Sequence, residues 1–101
     1  MEHPKSMHYV STLDAPAAIG PYSQAVKSNN LLFISGQLPI DPSSGEFVDG
    51  GIKDKTHRVI KNLEAIAKAA GSDLANVVKT TLFLTDMNCY ADVNEVYAQY
   101  F

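Results

Sequence analysis

The chain has 101 residues, 46% hydrophobic and 19% charged, which is enough for one soluble globular domain, residues 1–101, and excludes a multidomain or a low-complexity protein. A formal net charge of −3 with a single arginine, Arg58, argues against nucleic acid or an anionic membrane as the main partner, because both attract basic faces. Cys89 is the only cysteine, which rules out an intrachain disulfide, and no apolar run approaches the ~18 residues of a membrane span.

In chain order, residues 8–12 (HYVST) form a short candidate strand. DAPAAIGP follows as turn material, because Pro16 and Gly20-Pro21 stop any regular element. The next stretch predicts a hairpin: Tyr22 to Lys27 as one strand, Ser28-Asn29-Asn30 as the turn and Leu31 to Ser35 as the other strand. Asparagine tolerates the left-handed conformation that tight turns need. DPSSGEFVDGG, with two turn clusters around Phe47-Val48, reads as a surface loop containing a brief extended piece.

A helix comes next. Ile52, Thr56, Val59, Ile60, Leu63, Ile66, Ala67 and Ala70 recur at spacings of three and four and make one stripe. Glu64 and Lys68 lie off it as a favourably ordered i,i+4 pair, and Gly71 stands where a left-handed C-terminal residue belongs. Asp73 to Asn76 leads into VVKTTLFLT, residues 77–85, which predicts a strand. Its Val78, Thr80, Leu82 and Leu84 would face the helix, with Val77, Lys79, Thr81, Phe83 and Thr85 on the other side. Asp86 or Asn88 can cap a second helix, whose apolar stripe is Val93, Val96, Tyr97, Tyr100 and Phe101.

The predicted strands are apolar on both faces, while two helices suffice to cover one. A second copy of the protein is the economical cover for the other, so a homo-oligomer is expected; a sheet curled on itself is the alternative. The second helix ends without a glycine, a basic last turn or an exit loop, and the order of elements asks for one more strand. The expectation is therefore a chain that lacks its last strand.

Few residues suggest chemistry by spacing alone. His3, His8 and His57 share no ligand spacing and Cys89 has neither a partner cysteine nor a visible base, so no metal centre and no thiol nucleophile is expected. What remains is polar groups at strand ends. Tyr22 opens one hairpin strand and Ser35 closes the other, so a phenol, a hydroxyl and the bare backbone of Gly36 would gather at the open end. The alternative is that Ser35-Gly36 merely makes a bend.

At these residues the sequence resembles a known family. APAAIGPYSQAV (15–26), FISGQLPIDPSSGE (33–46), NLEAIAKAAG (62–71), NVVKTTLFLTDMN (76–88) and VNEVYAQYF (93–101) closely resemble the RidA-type reactive-intermediate imine deaminases, also called the YjgF family. The resemblance implies an α+β domain of the chorismate-mutase type, a mixed sheet with two helices on one face. It also implies a homotrimer with active sites in the clefts between subunits. The implied reaction is hydrolysis of 2-imino acids and their enamine tautomers to 2-keto acids and ammonia, with no cofactor and no metal. The implied substrate-binding residues are Tyr22 of GPY, Ser35 and Gly36 of SGQ, and Asn94 of VNEVY. The family's carboxylate-gripping arginine and water-positioning glutamate belong to a segment that would follow Phe101. Arg58 and Glu95 do not match them, so no catalytic residue is assigned and low activity is expected of these 101 residues. Alternatives to the deaminase are a non-catalytic small-molecule-binding or interaction module and an endoribonuclease or translation inhibitor. The expected location is the cytosol, with mitochondria as an additional candidate.

Overall fold

A computed structural model describes residues 7–101. Three strands, β1 (Met7–Val10), β2 (Ala25–Ser28) and β3 (Leu31–Ile34), form an antiparallel sheet in the order β1-β2-β3. Helix α1 (Ile52–Ala69) and helix α2 (Tyr90–Tyr100) complete the α+β fold. The hairpin is where the sequence put it, but its strands are shorter. Asn29 takes φ 53°, the left-handed value expected of the turn. β2 pairs with β3 from Ala25 opposite Ile34 to Ser28 opposite Leu31. Tyr22, Ser23 and Gln24 fall outside the ladder, because Gly20-Pro21 bends the chain just before them.

The pairing sorts the side chains onto two faces. Val10, Ala25 and Ile34 share one face in a cross-strand row, and Lys27 sits beside Leu32 on it. That face meets α1: Ala15, Ala25 and Ile66 are buried together, with Val10, Leu32, Ile34 and Ala65 packed against them. The opposite face carries the row Tyr9–Val26–Phe33, and Leu31 and Phe33 on it remain more than half exposed. α2 lies along α1. Its Val93 and Val96 are buried, and the edge of the contact is polar. Lys53 Nζ pairs with Glu95 Oε2 at 2.8 Å, and His57 Nδ1 meets the Tyr100 hydroxyl at 2.8 Å.

α1 ends as its sequence predicts. Gly71 adopts φ +82°, Ser72 N–H donates to the Ala67 carbonyl and Gly71 N–H to that of Lys68, which is a Schellman closure. Lys27 Nζ adds a bond to the Ala70 carbonyl. Neither Asp86 nor Asn88 caps α2 itself: the N-cap position is Cys89, which makes no side-chain cap bond. Asp86 instead caps the 3-10 turn Met87–Cys89 just before the helix, its carboxylate accepting from Asn88 N–H at 2.9 Å.

One predicted element does not form. Residues 77–85 pair with no strand among the described residues, and Val78 is 91% exposed where the alternation turned it towards the helix. A strand is stabilised by a lateral partner and a covered face, and the free edge of β3 is not joined to this segment. The described sheet is accordingly antiparallel throughout and not mixed. The segment is anchored instead by the Tyr97 hydroxyl of α2, which donates to Thr80 Oγ1.

Candidate functional site

The open end of the β2–β3 hairpin is built from backbone outward. Just beyond the β2–β3 ladder, Ser35 N–H donates to the Gln24 carbonyl at 3.0 Å and the Ser35 hydroxyl donates to the Ser23 carbonyl. The Ser35 proton is thus spent on the segment that leads into β2, and its oxygen keeps lone pairs for an incoming donor. Gly36 follows, exposed, and a side chain built there would meet nothing within 4 Å. The Gln37 side chain folds back and donates to the Ser35 carbonyl at 3.2 Å.

Tyr22 is next to Ser23 in the chain, so its backbone lies beside Ser35. Its ring, half-exposed, is turned back onto its own loop, where the hydroxyl accepts from Ile19 N–H at a long 3.4 Å. A Cβ placed on Gly20, at φ +113°, would come to 3.9 Å from the Tyr22 ring. The structure therefore brings Tyr22, Ser35 and Gly36 to one end of the hairpin but does not close their side chains on a common point. Asn94 is exposed on α2, on a separate element. Two shallow grooves, of about 440 and 480 Å³, are lined by other residues, including Tyr9 and Lys27 in one and Thr12, Arg58 and Lys68 in the other.

Arg58 and Glu95 are engaged elsewhere. Arg58 Nε donates to Asn62 Oδ1 at 3.1 Å, and Glu95 belongs to the ion pair with Lys53, which pushes the Lys53 pKa up. His3 lies outside the described residues. Among those described, no three His, Cys, Asp or Glu side chains gather as a metal centre would require, and no helix is long and apolar enough to cross a membrane.

Two residues escaped the sequence reading. Gln24 is 4% exposed. Its Oε1 accepts from Thr12 N–H at 2.6 Å, and its Nε2 donates to the carbonyls of Thr12, Ala15 and Pro16 at 3.0, 3.2 and 2.8 Å. Asn62, fully buried in α1, donates through Nδ2 to the carbonyls of Leu38 and Ile40 at 3.2 and 3.0 Å. One amide therefore holds the loop that enters Gly20-Pro21-Tyr22, and the other holds the strap that leaves Ser35-Gly36-Gln37. The available signal was polarity: Asn62 lies between the apolar helix positions Ile60 and Leu63, next to the stripe that faces the core.

The three-stranded antiparallel sheet with two helices is an α+β scaffold of a recognisable kind. Residues 12–101 match the family model described as Endoribonuclease L-PSP, and the chain belongs to that family. It is 56% identical over 92 residues to a RutC family protein of Pyrococcus horikoshii, covering 91% of this chain and 73% of that one. Over the same length it is 55% identical to the mouse 2-iminobutanoate/2-iminopropanoate deaminase, covering 68% of it. The crystal structure of the Rid family protein YyfA from Yersinia pestis superposes with a TM-score of 0.91 at 44% identity, over 94% of this chain and 75% of that chain. The expected family is thereby established.

Proposed function

We propose that this protein hydrolyses small 2-imino acids, and their enamine tautomers, to 2-keto acids. The carrying observation is the end of β3: Ser35 with its proton committed to Ser23, followed by an unobstructed Gly36. The naming of the mouse relative as a 2-iminobutanoate/2-iminopropanoate deaminase supports the substrate class.

In the proposed reaction a protonated C=N bond is attacked at carbon by water. One proton of the water passes to the nitrogen, giving a carbinol ammonium. The C–N bond then breaks to release ammonia as the remaining hydroxyl proton passes to solvent, leaving a C=O bond. The substrate is already electrophilic, so holding the iminium and aligning the water is the main task. Ser35 and the Gly36 backbone orient the substrate, while Tyr22 and Asn94 shape the cleft. Tyr22 and Asn94 lie on different elements, so the cleft is proposed to be completed by another copy in a homotrimer. The row Tyr9–Val26–Phe33, exposed at Tyr9 and Phe33, and the exposed Leu31 support that assembly, since an uncovered apolar sheet face is costly in water.

The test uses threonine dehydratase to generate 2-iminobutanoate in the presence of semicarbazide as a competing trap. With low activity expected of these 101 residues, the protein should speed the appearance of free 2-oxobutanoate only modestly above the uncatalysed rate, and Ser35→Ala or Tyr22→Phe should slow it. No acceleration by the wild-type chain would remove the deaminase reading for these 101 residues. The description of the family model favours one other reading, an endoribonuclease. That reading requires RNA cleavage which persists through purification and disappears in the same variants.

A further inference from the structure

We propose that Asn62 is a positioning residue for the candidate site, acting through the strap at residues 36–40. Every polar atom of its side chain is engaged. Nδ2 donates to the Leu38 and Ile40 carbonyls, and Oδ1 accepts from Arg58 Nε, so the guanidinium fixes which way the amide faces. The carbonyl between those two, on Pro39, accepts from Val48 N–H at 2.9 Å. Three consecutive strap carbonyls are therefore fixed, two of them by one side chain of α1. The strap begins at Gly36, whose backbone has no side chain to hold it in place and whose added Cβ would touch nothing. An unheld glycine loses more conformational freedom on binding a ligand than other residues do, so an anchor just downstream lowers that cost.

Gln24 and Asn62 make a pair in this respect. Each is a buried amide that spends its donors on the carbonyls of a loop bordering the hairpin end. Asn62 differs in being set by a second side chain, Arg58, that reaches the surface groove. The strap's geometry is thus referred to α1 and not to the strand that leads into it.

The experiment compares wild type with Asn62→Asp, which keeps the shape and the acceptor for Arg58 but has no N–H to donate. Amide hydrogen exchange is read at Asp41 and Val48, which close the strap, and at Ala70 and Ser72, which close α1. The strap amides are expected to exchange at least about tenfold faster, the effect of losing roughly 1.4 kcal/mol locally, with the α1 amides changed less than about twofold. Equal acceleration at both places, or none at the strap, overturns the proposal. Should Asn62→Asp fail to fold, Arg58→Met is read by the same criterion, since it leaves both donors in place but unoriented.

The link to function rests on the deaminase reading and is tested separately, by titrating 2-oxobutanoate while following the Gly36 amide resonance. Binding by wild type that is weakened about tenfold in Asn62→Asp supports the positioning role, and equal binding by both overturns it. Failure of the wild type to bind counts against the deaminase reading alone, because the exchange measurement has by then decided whether Asn62 holds the strap.

Discussion

Gln24→Leu should destabilise the protein far more than a glutamine-to-leucine change at a comparable loop position. The replacement has similar volume, so little cavity results. What it removes is a four-way contact: Thr12 N–H loses its acceptor, and the carbonyls of Thr12, Ala15 and Pro16 lose their donor. Ala15 is 2% exposed, so water cannot readily replace the lost bond to its carbonyl. Leaving such a buried acceptor unpaired costs about 1–3 kcal/mol, while groups that water can reach lose about 0.5 kcal/mol each. The sum is about 3 kcal/mol, a large share of the roughly 5–15 kcal/mol that holds a domain folded. It corresponds to a drop in Tm of roughly 12 °C or more for a chain of this size. Urea denaturation, monitored by circular dichroism, measures it, with an unchanged m-value showing that the denatured state is not what moved. Gln37→Leu is the control, because its one bond is to Ser35, two residues away. A loss below about 1 kcal/mol for Gln24→Leu, or one matched by Gln37→Leu, would refute the view that this amide fastens the loop to the sheet.

Three further outcomes are expected. Gly50 has φ +110°, and a Cβ there would collide with the Asp54 carboxylate that accepts from Gly51 N–H at the start of α1, so Gly50→Ala should cost about 1–3 kcal/mol in chemical denaturation. The Asp41 carboxylate is held below its usual pKa of 3.8, first by the Ser43 hydroxyl and then by Ser43 N–H. Such a lowered folded-state pKa stabilises above the unfolded value and loses that effect as the pH falls through the folded one. Ser43→Ala should therefore raise the Asp41 midpoint in a carboxyl NMR titration, and an unmoved midpoint would assign the shift elsewhere. Phe33→Asp places a charge on the exposed apolar row, so if copies associate through that face, sedimentation should show the variant dissociated at concentrations where the wild type is not.

The correspondence between sequence and structure follows the range of the interactions. The α1 stripe, the Gly71 closure and the left-handed Asn29 depend on neighbours within about four residues, and each was legible in the letters. So was the family, because its motifs are short stretches in a set order. The placement of Ser35 beside Tyr22 followed from the turn at residues 29–30, although the direction of the Tyr22 ring did not.

Contacts across the chain were decided only by the folded arrangement. VVKTTLFLT alternates as a strand does, yet a strand exists only beside a partner, and no local pattern reveals whether one is at hand. Gln24 reaches carbonyls 8 to 12 residues away, and Asn62 reaches back 22 and 24 residues. An amide's letter shows what it is able to donate and accept. Which buried carbonyls need it depends on how the helix and the loops meet.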